Sequence, residues 1–359
     1  MRYLIKYITF GLCVFLFLLL WSCGEVVREK SRVSADRLLS LFERTDSIFA
    51  EEVTLSSPLD SIGALGALLV SDSILIVSPN TPPYLHLFDL SSGDLIVQTG
   101  SQGKGPGELV DFSNFISRSP IPGYIDVFQE NSQRHFQLEL STGILAEVGR
   151  LSGMCMNMIY LEDSVYFSFV SDSSKRYALS DGHGVIHQTF LDYPLSENIR
   201  SSDAGLSLAY QGRIEKHPEK DLFFTTTTFA PQFEICKMEK DGLIKLFELY
   251  LDFPRITDQS YEGSYSVSFL PECMVSTIDM CSTGEYIYIL WSGREYKEDY
   301  DVKFNSQTVL VFDWEGNPVR KMELSQPVQY ITVTEDDQTL FAFAVDPTDF
   351  EERILKFGL

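Results

Sequence analysis

The sequence predicts an all-β fold: a six-bladed β-propeller closed by an N-terminal strand that completes the last blade. Three observations predict it. Short apolar runs recur along the chain at blade-like intervals, a pair of strands joined by a glycine turn follows most of them, and the last repeat is one strand short. Apolar residues make up 44% of the 359 positions and aromatic residues 13%, ample for a packed core and too apolar for a disordered chain.

The six runs are Ser73–Val77, Tyr124–Phe128, Val165–Phe169, Leu222–Thr226, Tyr286–Leu290 and Leu340–Ala344. They are β-branched or aromatic and nearly continuous in apolarity, as strands buried on both faces are. Their centres step by 51, 40, 57, 65 and 53 residues, which is propeller spacing with insertions. Following strands and turns are clearest at Tyr84–Leu90 with Leu95–Thr99 across Ser91-Ser92-Gly93-Asp94, and at His135–Leu140 with Ile144–Val148 across Ser141-Thr142-Gly143. Less regular copies run through Asp181-Gly182, Asp241-Gly242 and Glu315-Gly316. Glycine at these places supplies the positive φ that tight hairpins need.

After Leu340–Val345 only one more strand, Arg353–Phe357, remains before Leu359. Near the other end Glu52-Val53-Thr54-Leu55-Ser56 alternates in polarity, so Val53 and Leu55 are expected to pair with Arg353–Phe357. A ring latched in this way keeps its sheet edges short. The irregular stretch Glu272–Gln307 has room for a seventh blade, and a β-sandwich is the competing architecture.

Residues 1–23 read as an address. Arg2 and Lys6 precede the uncharged apolar run Ile8–Trp21, which is short for a membrane-spanning helix and fits a signal-peptide core. Leu20-Trp21-Ser22-Cys23 resembles a bacterial lipobox, in which the cysteine is acylated and becomes the new N-terminus. The expected plan is a signal peptide over 1–22, a lipidated tether over 23–50 and the propeller over 51–359. The tether's Ala35–Phe49 has the apolar spacing of a short amphipathic helix. Cys23 would hold the body at the membrane of a Gram-negative envelope, with the outer membrane favoured and the face left open. Cys155, Cys236, Cys273 and Cys281 show no zinc spacing and read as buried free thiols, with a Cys273–Cys281 disulfide requiring a hairpin.

Between the first two blades stands Gly103-Lys-Gly-Pro-Gly-Glu-Leu109. This segment resembles the Gly-x-Gly-Pro-Gly-Glu-Phe turn of TolB-like six-bladed propeller lipoproteins, with Leu109 where phenylalanine is more usual. The resemblance covers about residues 60–357 and implies the fold and an envelope location, not a chemistry. Glu108 either caps backbone donors in the turn or faces the central channel as a ligand group. A phosphate loop is excluded, because no serine or threonine follows Gly103-Lys104 and no helix pattern begins there.

The charge balance of 28 basic against 51 acidic residues, −23 overall, excludes a nucleic-acid binder. No nucleophile elbow, HExxH pair, EF-hand loop or dinucleotide fingerprint occurs, so no catalytic residue, metal ligand or cofactor is assigned. His183 and His187 flank a turn, and His86 and His135 lie in corresponding strands. Acidic runs at Glu295–Asp301, Glu335–Asp337 and Asp346–Glu352 read as solvated loops. Trp291 and Arg294, in an insertion mixing aromatic and charged side chains, are candidates for contact with a partner or glycan, or else parts of a packed loop. The expected function is an envelope lipoprotein whose propeller face binds a partner protein or small ligand without catalysis. The alternative is a carbohydrate- or ester-directed hydrolase or lyase, with carboxylates or calcium at the central channel.

Overall fold

The structure, a computed structural model, describes residues 33–57, 65–111, 114–129, 131–151, 155–194, 201–240, 242–259, 266–346 and 351–359. The leader, Cys23 and the start of the tether lie outside these residues. Among the described residues six large sheets, one per blade, follow one another along the chain, and a small two-stranded ribbon pairs Ile256–Asp258 with Val267–Phe269. Blade one is Leu65–Ser71, Ile74–Pro79, Leu85–Asp89 and Leu95–Thr99; blade two runs from Asn114–Arg118 to Leu145–Arg150, and blade three from Cys155–Tyr160 to Ile186–Asp192. Blade four runs from Gly212–Lys216 to Gly242–Tyr250 and blade five from Met274–Ser282 to Pro318–Val328. Blade six has Tyr330–Val333, Thr339–Val345 and Glu352–Gly358. Glu272–Gln307 holds no seventh blade: its strands, with the short helix Tyr300–Lys303, belong to a long hairpin of blade five.

The missing strand of blade six comes from the beginning of the chain. Ala50–Glu52 pairs antiparallel with Leu355–Phe357, and the Val53 N–H donates to the Ile354 carbonyl at 2.9 Å. The paired residues lie just before the Val53–Leu55 segment expected to do this; Val53 and Leu55 instead pack their side chains against the seam between blades six and one.

The expected helix over Ala35–Phe49 is shorter than its apolar pattern. Residues 33–39 are helical, while Thr45–Ile48 forms a strand parallel to Lys321–Leu324 on the outer edge of blade five. Thr45 and Ile48 are β-branched and favour extended backbone, and an open sheet edge offers this segment hydrogen bonds that an isolated helix end would lack. Residues ahead of the boundary expected at 51 are thus stitched into the ring. Leu38 in the helix and Phe42 just after it anchor this segment, both buried between blades four and five, with Phe42 edge-on to Phe312 at 5.1 Å.

Apolar clusters fill the seams between neighbouring blades. Between blades one and two Leu69, Ile76, Leu87, Ile125, Val127 and Phe136 interlock, and blades five and six share a seam built on Leu290, Val311, Leu340 and Phe357. The seam between blades two and three is smaller and partly polar. There Asp126, His135 and Tyr166 are buried in a chain, with His135 Nε2 2.9 Å from Asp126 and Nδ1 2.9 Å from the Tyr166 hydroxyl. His135 therefore serves packing between sheets. Cys236, Cys273 and Cys281 are buried free thiols.

Candidate functional site

The innermost strands of all six blades surround a central cavity of about 490 Å³. Its mouth is made by the turns that follow those strands: Ser71-Asp72, Ser119–Tyr124, Lys216–Glu219, Ser282–Gly284 and Glu335. Strand alternation sends residues two apart to the same face. In Gly212–Lys216 this buries Ile214 in the seam between blades three and four and leaves Arg213 and Glu215 to line the cavity.

Arg118, the last residue of the innermost strand of blade two, reaches across the axis. Its Nε and Nη2 donate to the Val70 carbonyl at 3.2 and 2.9 Å, Nη1 to the Ser282 carbonyl at 2.7 Å, and Nη2 also to the Val333 carbonyl at 2.9 Å. One guanidinium thus ties blade two to blades one, five and six. Its planar fork of five donors suits this task, which an ammonium could not perform. Glu335 at 3.8 Å is exposed and adds little.

Deeper in the cavity Arg213 lies 3.4 Å from the Asp279 carboxylate, whose other oxygen accepts the Ile331 N–H at 2.9 Å. Burial raises Asp279 above the usual carboxylate range, against the pull of Arg213. Glu215 accepts a hydrogen bond from the Ser282 hydroxyl at 2.9 Å through Oε2. Burial pushes its carboxyl up to about 7, although Ser282, Arg118 and Arg213 all favour the ionised form. Among the described residues its Oε1 has no protein partner, and neither do Nε and Nη1 of Arg213. The cavity therefore presents a carboxyl poised near neutrality together with an Arg213 donor, over apolar walls that include Leu68, Ile116 and Ile159.

The residues singled out from sequence fall elsewhere. Glu108 does not line this cavity: its Oε2 accepts the Gly105 N–H at 2.7 Å and so caps the turn. A Cβ on Gly103 would stand 2.0 Å from that carboxylate oxygen, so any larger residue there would push Glu108 out of its capping position. Leu109 is fully buried in the seam between blades one and two, so the motif is a plug that packs one blade against the next. Trp291 is a core residue, 2% exposed between blades four and five, and its ring is not available on a rim. Arg294 is exposed, with Glu298 3.7 Å away. The structure brings none of Glu108, Trp291 and Arg294 together.

His183 and His187 stay on the outer turn of blade three, where His187 meets Asp181 at 2.9 Å, and no cluster of three metal-ligating side chains occurs among the described residues. Asp337 departs from the solvated-loop expectation, because its Oδ1 accepts the Tyr288 and Thr283 hydroxyls at 2.7 and 2.8 Å. Arg118, Arg213, Glu215 and Asp279 escaped the sequence reading because the innermost strands that carry them, Asn114–Arg118, Gly212–Lys216 and Met274–Ser282, mix polar with apolar residues and present no continuous apolar run. The alternation Arg213-Ile214-Glu215 before a recognised strand was the available signal.

Comparison with known proteins agrees with this architecture. The family model described as TolB-like 6-blade propeller-like matches residues 50–336. Among solved structures the chain is similar to a member of the DUF4221 family from Bacteroides vulgatus, at 12% identity and a TM-score of 0.55 over 86% of this chain and 98% of that one. It is also similar to a protein from Bacteroides fragilis described as exported, at 13% identity and a TM-score of 0.49 over 87% and 98% of the two chains. No curated protein matches.

Proposed function

The chain belongs to the TolB-like six-bladed propeller family, and from that premise we propose that it is a lipid-anchored envelope protein whose central cavity binds a small polar ligand without turning it over. The observation that carries the binding reading is the cavity itself. Its volume of about 490 Å³ falls within the range of small-molecule sites, and it combines apolar walls with a few convergent polar groups. The arginine tie at Arg118 holds those walls in place before any ligand arrives, which limits the ordering cost of binding.

Envelope placement rests on the leader and on Cys23 as the acylated residue. Removing residues 1–22 takes away Arg2 and Lys6 and no acidic side chain, so the body becomes more acidic than the −23 of the whole chain. Anionic lipid then repels the body, and the acyl chains must hold it. Either leaflet face is compatible with this, and so is a protein or glycan partner at the propeller rim.

A second reading is favoured by Glu215. A carboxyl raised to about 7 in a solvent-reached cavity is protonated often enough at neutral pH to act as a general acid, with Asp279 as the second carboxyl of a hydrolase. Against it, Asp279 is already held by Arg213 and the Ile331 N–H. The two readings separate by incubating the purified body with a small-molecule panel and with chromogenic glycosides and esters. Saturable binding with no turnover supports the binding protein. Turnover abolished by Glu215→Gln would replace that reading with the hydrolase.

A further inference from the structure

The pairing of available groups in the cavity is specific in sign. Arg213 and Glu215 stand two residues apart on one strand, roughly 6.7 Å along the backbone, and both line the cavity. Asp279 and the Ile278 carbonyl engage Nη2 of Arg213, leaving Nη1 as a single donor for one carboxylate oxygen. Ser282 occupies one oxygen of Glu215, leaving Oε1 as an acceptor. A simple anion seated on Arg213 would face the Glu215 oxygen, and a simple cation seated on Glu215 would face the guanidinium. A molecule carrying both charges a few ångströms apart satisfies the two at once.

We infer that the cavity takes a small zwitterion of the amino-acid or short-peptide class, its carboxylate on Arg213 and its ammonium on Glu215. This rests on the ligand-binding reading above and names the ligand's chemistry. The cavity exceeds the size of a single free amino acid, so the apolar walls at Leu68, Ile116 and Ile159 accommodate a side chain or a second residue. Binding is coupled to a proton. The charged and titratable groups facing Glu215 are Arg118 from blade two, Arg213 on its own strand, and Asp279 and Cys281 from blade five. With no ligand they leave the Glu215 carboxyl partly protonated near neutrality, and an ammonium brought against it expels that proton.

Isothermal titration of the purified body at pH 7 tests this with the common L-amino acids, a set of dipeptides, and neutral monosaccharides. For the tightest zwitterion, the des-amino and decarboxylated analogues are titrated as well. Each analogue is expected to bind at least about tenfold more weakly, the worth of one charge-assisted hydrogen bond. Glu215→Gln removes the discrimination against the des-amino analogue. Arg213→Lys, which keeps a cation beside Asp279, removes much of the discrimination against the decarboxylated one. The wild-type heat at pH 7 varies with the ionisation enthalpy of the buffer, and that of Glu215→Gln does not. Analogues that bind as well as the zwitterion overturn the inference, as does a sugar that binds while amino acids and dipeptides are silent; either result leaves the ligand-binding reading standing. Silence from every compound counts against both.

Discussion

Replacing Arg118 by methionine removes the tie across the propeller axis while keeping most of the side-chain stem. Four N–H to carbonyl contacts are lost, to Val70 twice and to Ser282 and Val333 once each. A hydrogen bond from a charged donor contributes about 1.5–3 kcal/mol, but water in the cavity rehydrates the freed carbonyls, so the net loss is about 3 kcal/mol. Unfolding entropy near 2.1 cal/mol/K per residue over a ring of roughly 300 residues gives about 0.6 kcal/mol/K, and the melting temperature then drops by about 5 °C. Differential scanning calorimetry at pH 7 reads this directly. Arg118→Lys keeps the charge but cannot reach three blades with one nitrogen, and falls between wild type and Arg118→Met. The methionine variant also raises the Glu215 pKa further, since Arg118 favours the ionised carboxylate. A melting temperature within about 1 °C of wild type would show that the blades do not depend on this tie.

Other perturbations have equally definite outcomes. Glu215 binds its proton more tightly folded than unfolded, its pKa rising from 4.5 to about 7. The stability it contributes is therefore present below 4.5 and lost as pH rises through 7, so wild type should lose about 2 kcal/mol relative to Glu215→Gln between pH 5 and 8, measured by urea melts at each pH. Leu109→Ala, at a fully buried site, costs about 2–5 kcal/mol in the same assay. Gly103→Ala drives a methyl group into the Glu108 carboxylate and destabilises the turn, an effect that Glu108→Ala largely suppresses when the two are combined. Cys23→Ser abolishes metabolic incorporation of palmitate and moves the protein from the detergent phase to the aqueous phase on Triton X-114 partitioning; retention in the detergent phase would place the anchor elsewhere.

Much of the ring was legible in the sequence because the second strand of each blade is buried on both faces. Runs such as Tyr124–Phe128 and Tyr286–Leu290 are continuous in apolarity, and the glycine turns after Leu90 and Leu140 mark where the outer strands begin. The site was not legible for the same physical reason. Innermost strands such as Gly212–Lys216 turn one face to the cavity, so they carry polar residues and present no run. Of the two readings open for Trp291 the packed one holds, because its place on a strand turns the ring into the seam between blades four and five. Thr45–Ile48 was masked by the apolar period it shares with the helix before it, and only an available sheet edge decides between the two conformations.

The union of Ala50–Glu52 with Leu355–Phe357 puts a clock into assembly. Ala50–Glu52 finds its partner only when Leu355–Phe357 has been made, some three hundred positions later. Contacts so remote in sequence form slowly, because a very long loop must close before they contribute anything. A chain made from its N-terminus therefore stays an open fan, unable to complete itself prematurely, and becomes a finished wheel only after Phe357 has arrived.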